Sequence, residues 1–400
     1  MTISRRSMLG LLAAGSALPF AGALAAAGKP EPLKVLGQRK GLRVGNAIGG
    51  RDFRDPAYRA LMARECNMLV AENEGKWQAL EPRPGQYNFG PADELYAWAK
   101  QEGMQVRGHN LVWQAEKWLP RWVNEYDFGT QPAQAAEQLL RRHIAAVCGH
   151  FGDAVYSYDV VNEAVDPATG ELRANALTRR LGAVEQIDLA FRLAREHAPG
   201  AQLVYNDYMR PDLGSAKHRA GVLKLLHDLK SRGSPVQALG LQSHIGSWDE
   251  LGSGPRYQQE WRSFLDEVTG MGLDLLVTEF DVNDRKLPAD IAVRDAGVAA
   301  LAKDYLDVTF SYPQCRDFLM WGMADNFSWL QGWYEAPRTD GVKMRPTPFD
   351  AELRAKPLRD AIAVAIEAMP PRDTIAAAIE AMPPRDTIAA AIEAMPPRAA

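Results

Sequence analysis

The chain has 400 residues, of which 46% are hydrophobic and 24% charged, with a formal net charge of -4. That weak acidity leaves no basic footprint for nucleic acid or an anionic membrane, and no CxxC or HExxH spacing supports a metal site. Length alone does not demand two domains, because a single α/β barrel can absorb it.

Residues 1–28 read as an export leader. Arg5 and Arg6 form a twin-arginine head in Ser4-Arg5-Arg6-Ser7-Met8-Leu9, an Ala/Leu-rich stretch follows, and Ala23-Leu24-Ala25 offers small residues for cleavage. The mature chain is expected to start near Ala26 and to work in the periplasm or outside the cell, with no membrane association after removal of the signal. Three cysteines leave at least one thiol unpaired. The apolar surroundings of Cys66, Cys148 and Cys315 suit buried free thiols, with one disulfide left open.

From there to about residue 370, apolar, β-branched-rich runs alternate with amphipathic segments. Eight runs are predicted strands: Gly41–Ile48, Cys66–Asn73, Met104–Trp113, Val155–Glu163, Ala201–Tyr208, Val236–Ile245, Leu273–Val282 and Asp317–Asp325. Between them lie predicted helices such as Pro91–Gly103, Gln131–Phe151, Leu177–His197, Ser215–Arg232 and Ala289–Phe310. Strand and helix in repeated alternation imply the α/β class and a single (β/α)8 TIM barrel over residues 29–371.

The tail differs in kind. Arg359 opens a segment that runs to Pro371, and nearly the same residues recur from Arg372 and again from Arg385. The first copy is expected to be the last barrel helix. The later copies, residues 372–400, are each cut by a Pro-Pro pair and are too short to hold as isolated helices, so they are expected to be frayed and dispensable.

Polar and aromatic residues gather at the C-terminal ends of the predicted strands, where a barrel places its active site. Leu275-Leu276-Val277-Thr278-Glu279-Phe280-Asp281-Val282 carries a carboxylate out of an apolar strand, and Val155 to Glu163 does the same. A buried glutamate needs a partner or a function. Two glutamates facing one pocket suit glycoside hydrolysis, one donating a proton and the other attacking the anomeric carbon. Glu163 is assigned as acid/base and Glu279 as nucleophile. Asp281 shares the strand face of Glu279, and His244, from the preceding strand, is expected to lie between them. Asn162 is placed to bond a sugar hydroxyl. Each residue alone has a bland reading, a solvated carboxylate or a satisfied structural histidine; the weight lies in their joint placement.

Seven segments in order carry a resemblance: Glu72-Asn73-Glu74-Gly75-Lys76-Trp77, Arg107 to Trp113, Asp159 to Ala164, Tyr205-Asn206-Asp207-Tyr208, Gly240 to His244, Thr278 to Asp281, and Trp321 to Asp325 continuing to Ser328-Trp329. Together they resemble the motifs of glycoside hydrolase family 10 endo-xylanases from about Gly41 to Met369. The resemblance implies retaining cleavage of β-1,4-linked xylan and xylo-oligosaccharides without a cofactor, and the chain is expected to act as a monomer. It also implies sugar contacts by Glu72, Asn73, Lys76, His109, Trp113, Asn162, Gln242, Trp321 and Trp329. A tryptophan over the carbon-5 edge would favour xylose over glucose. Four positions depart from the usual pattern, Gly75, Gln114, Met209 and Asn326, and put subsite detail in question. Activity on β-glucan or mannan, a non-catalytic carbohydrate-binding barrel, and a metal-dependent barrel using His109, His244, Asp207 and the glutamates stay open as alternatives.

Overall fold

The computed structural model describes residues 30–247, 257–333 and 337–370; the expected leader and the repeated tail lie outside the described residues. The strands are β1 (Arg43–Ile48), β2 (Met68–Ala71), β3 (Gln105–Trp113), β4 (Val155–Asn162), β5 (Gln202–Asp207), β6 (Ala238–Leu241), β7 (His244–Gly246), β8 (Asp274–Asn283) and β9 (Cys315–Met320). All pair in parallel from β1 round to β6, β1 also pairs β9, and β9 pairs β8. The β6 to β8 pairing closes the ring into an eight-stranded barrel, with β7 as a short extension alongside β8.

The predicted strands fall where the barrel has them, with two corrections. The sixth is broken between Leu241 and His244, where Ser243 takes a left-handed φ of 64° and its hydroxyl turns back to the Leu241 carbonyl. The eighth ends at Met320, so Trp321 and Asp325 lie beyond it. Asp325 is buried and does not line the cleft; Lys356 and Thr347 hold its carboxylate and tie down the C-terminal segment.

Helices Gly90–Gln101, Pro132–Phe151, Ala216–Ser231 and Ile291–Thr309 lie in expected segments. The segment expected as one helix from Leu177 to His197 is two, Thr178–Leu181 and Ala183–His197, divided at Gly182 with φ 90°. The first copy of the tail repeat does form the last helix, Pro357–Glu367. Its Arg359 reaches Glu65, and Lys40 donates to the Met369 carbonyl at 2.8 Å, so the two ends of the barrel chain are fastened together.

The core follows from strand alternation. Leu203, Leu239, Leu275 and Phe318 pack in the main cluster against the helices, while their neighbours Val204, Ala238 and Leu276 meet in a small separate cluster on the opposite face. Cys66, Cys148 and Cys315 are buried thiols, and no disulfide joins them.

Candidate active site

The barrel mouth holds a cleft of about 470 Å³ lined by Glu72, Asn73, Lys76, His109, Trp113, Asn162, Glu163, Gln242, His244, Glu279, Trp321 and Trp329. Asp281 is the one site residue named from sequence that does not line it; it sits immediately beneath. A second hollow shares Glu72, Asn73 and Trp329 and extends the cleft past Gly49, Arg51 and Asp52.

Glu163 follows the last residue of β4 and has φ 55°, a left-handed conformation sparsely populated by residues other than glycine. The consequence is geometric: Asn162 and Glu163 are consecutive, yet both face the cleft, which regular alternation would forbid. The Glu163 N–H donates to the Asn206 carbonyl at 2.8 Å, and Gln242 Nε2 donates to Glu163 Oε1 at 3.0 Å.

Glu279 sits within β8, two residues before Asp281, and the register of β7 places His244 opposite Asp281. His244 Nδ1 donates to Asp281 Oδ2 at 3.0 Å, and its Nε2 lies 3.2 Å from Glu279 Oε2. The Trp329 indole donates to the same Asp281 oxygen at 2.6 Å. Asn206 Nδ2 reaches both Glu279 Oε1 and Asn162 Oδ1, each at 2.8 Å. A continuous polar chain therefore links the glutamates: Glu279, Asn206, Asn162, Gln242, Glu163. Gly240 makes room for it, since a Cβ there would lie 2.3 Å from Asn206 Oδ1.

The electrostatics separate the pair. Burial is the largest influence on His244 and works to lower its pKa, but the Asp281 charge and the hydrogen bonds to Asp281 and Glu279 reverse that and push it up to about 10. It is therefore an imidazolium near neutral pH. Burial alone would raise Glu279; the bond from His244 and the charges of His109 and His244 overcome it and hold the carboxyl below its ordinary range. For Glu163 burial prevails. The bond from Gln242 opposes it, the Asp207 carboxylate adds to it, and the carboxyl is raised. The Trp113 indole N–H faces this carboxyl without a hydrogen bond of ordinary geometry.

Around the pair, Lys76 Nζ donates to Asn73 Oδ1 at 2.9 Å and lies 4.9 Å from the centre of the Trp113 ring. His109 donates to Asp159, which Arg107 also grips, and its ring meets Trp321 edge-on at 5.2 Å. Trp113 stacks on Trp118, and Trp329 meets Trp333 edge-on, so the aromatic walls continue outward.

Sequence reasoning did not single out Trp118, Trp333, Lys117, Arg173, Tyr208 and Arg210, which also line the cleft, or Asn206, which bridges it. Asn206 and Tyr208 stood in the Tyr205-Asn206-Asp207-Tyr208 motif; the loop tryptophans gave no positional signal. Among the described residues no three His, Cys, Asp or Glu side chains gather in an arrangement suited to a metal ion. His109, His244 and Asp207 are engaged in separate networks, with Asp159, Asp281 and His218 respectively.

Two of the departures become intelligible. Gln114 is buried and joins Asn175 and Gln186 behind the Trp113 wall. Gly75 packs against the His109 carbonyl, where a Cβ would lie 2.7 Å away.

The model of glycosyl hydrolase family 10 matches residues 32–365. A β-1,4-xylanase of Dictyoglomus thermophilum is 33% identical over 71% of this chain and 78% of its own length. Endo-1,4-β-xylanase 1 of Humicola insolens is 32% identical over 85% of this chain and 75% of its own. Among solved structures, xylanase 10B from Thermotoga petrophila RKU-1 in complex with xylobiose superposes with a TM-score of 0.74 at 28% identity, covering 84% of this chain and 97% of that one.

Proposed function

This chain belongs to glycosyl hydrolase family 10, and from that premise we propose that it is an endo-1,4-β-xylanase working by double displacement, with Glu279 as nucleophile and Glu163 as acid/base. The observation that supports the roles best is the opposite protonation preference of two glutamates in one cleft, Glu279 lowered and Glu163 raised. The activity is that of relatives named as xylanases.

In the first step a Glu279 oxygen bonds to the anomeric carbon while the glycosidic C–O bond breaks, and the Glu163 proton passes to the leaving oxygen. Glu163, now a carboxylate, then takes a proton from water. That water attacks the anomeric carbon, the bond to Glu279 breaks, and the product keeps its configuration. Glu279 must be ionised and Glu163 protonated at the start, so activity falls on the acid side through the lowered group and on the alkaline side through the raised one. Lys76, Asn73 and Glu72 bind the sugar beyond Glu279, and Trp113, Trp321 and Trp329 wall the reacting ring against a hydroxymethyl group.

A 2-fluoro xylobioside with a good leaving group tests the nucleophile. Peptide mapping should find the label on Glu279; a label elsewhere refutes the role. Sugar release from xylan should far exceed that from carboxymethylcellulose, and the reverse preference would move the substrate to β-glucan.

Residues 1–28 are an export leader in this reading, so the mature chain should begin near Ala26 when its N-terminus is sequenced. The catalytic unit spans residues 29–371 and acts as a monomer, and removal of residues 372–400 should leave activity and melting temperature nearly unchanged.

A further inference from the structure

A further aspartate–histidine pair, besides His244–Asp281 and His109–Asp159, stands behind the acid/base glutamate, and neither chemical step above uses it. Asp207 is the last residue of β5 and is fully buried. Its Oδ1 accepts from His218 Nε2 at 3.0 Å and from the Tyr208 N–H at 2.8 Å, and its Oδ2 accepts from the Tyr205 hydroxyl. Three donors around one buried carboxyl are the complement of a carboxylate. His218 comes from the outer helix Ala216–Ser231, far from the cleft in the sequence of functions but adjacent in space.

The route from Asp207 to Glu163 is short. The Asp207 carbonyl accepts the Gln242 N–H at 3.0 Å, and Gln242 Nε2 holds Glu163 Oε1 at 3.0 Å. On the other flank His218 packs edge-on against Tyr208 at 4.8 Å, and the Tyr208 hydroxyl accepts from Arg173 in the loop that follows Glu163. The outer helix is thereby tied to both sides of the acid/base residue.

We propose that Asp207 and His218 are positioning residues for proton transfer: the Asp207 main chain seats Gln242, while its carboxylate, fixed by His218, Tyr205 and the Tyr208 N–H, keeps a negative charge behind Glu163 until the Glu163 proton passes to the leaving oxygen. The inference rests on Glu163 being the acid/base. It also fits the charges around that residue. After burial, which raises Glu163, and the opposing Gln242 bond, Asp207 is the leading charge that raises it, ahead of Glu279. The other titratable groups facing Glu163 are Lys76 across the cleft, Tyr205 on β5 and Tyr208 just past its end. At Glu279, by contrast, the histidine of the pair touches the glutamate directly.

The test is the pH profile of kcat/KM on xylohexaose and on a 2,4-dinitrophenyl xylobioside, whose leaving group needs no proton. In Asp207→Asn the alkaline limb on xylohexaose should move to lower pH, lowering activity there roughly three- to tenfold, a displacement of up to about one pH unit. The dinitrophenyl profile should stay in place. His218→Leu should move the xylohexaose limb the same way, and His218→Gln, which retains a donor at the position of Nε2, should restore it. An unmoved limb with equal losses on both substrates would reduce the pair to a structural role and overturn the proposal. Should Asp207→Asn fail to fold, the comparison of His218→Leu with His218→Gln decides alone. Glu163→Gln separates the two levels: if it keeps turnover on xylohexaose, the acid/base assignment itself fails.

Discussion

The two glutamates line one cleft, Glu279 buried and Glu163 partly so, yet their surroundings oppose each other. At Glu279 a cation is in contact: His244, held as imidazolium by Asp281, bonds the carboxylate directly. At Glu163 the contact is a neutral amide from Gln242, and the leading charge acting on it is the anion Asp207. Burial by itself would raise both. The sign of the facing charge therefore sets the two carboxyls apart, and that separation is what the proposed roles of nucleophile and acid/base rest on.

The strongest break of that comparison is Glu279→Gln, which leaves the cleft but removes the attacking oxygen; turnover of xylan should fall on the order of 10⁴-fold or more, read by reducing-sugar release. Next is Glu163→Ala. Xylan turnover should fall about 10²- to 10⁴-fold, and with a 2,4-dinitrophenyl xylobioside, whose leaving group needs no acid, added azide should yield a β-xylobiosyl azide detectable by mass spectrometry, because the base is no longer needed when the nucleophile is already an anion.

Asp281→Asn sharpens the comparison from the other side. With burial lowering His244 and the Asp281 charge gone, the imidazolium weakens and Glu279 rises, so the acid limb of kcat/KM should move to higher pH, with up to about tenfold loss there per unit. The same variant reports on stability. The His244 pKa of about 10 in the folded state exceeds an unfolded value of about 6.5. Its contribution to stability is thus complete below about pH 6.5 and lost as pH rises through about 10. The melting-temperature gap between wild type and Asp281→Asn should therefore narrow between pH 6.5 and pH 10.

The smallest effect is expected for Gly240→Ala. The new Cβ must displace Asn206, which links both halves of the site, at a stability cost of about 1–3 kcal/mol by thermal melts. A variant with normal melting and normal activity would show that the polar chain tolerates a gap.

Much of this was legible from the chain alone. Long apolar runs alternating with amphipathic ones give the barrel, because strands buried on both faces and helices covering them leave different periodicities. The pairing of Glu279 with Asp281 is a matter of two-residue spacing on one strand, and His244 follows once its strand is placed alongside. The break at Ser243 and the left-handed turn at Glu163 were not legible, since each depends on closure of the ring and on hydrogen bonds from other strands.

What the sequence determined by itself is the kind of chemistry available: two carboxylates and one histidine–aspartate support toward the ends of strands, with a set of tryptophans at or beyond them. Only the tertiary structure decided the division of labour. Asn206 reaches both Glu279 and Asn162, and His218 reaches Asp207 from an outer helix, because packing brings together residues whose separation in the chain carries no period. The protonation of each glutamate follows from those neighbours, for a buried carboxyl takes its charge state from what faces it across a few ångströms of low-dielectric interior.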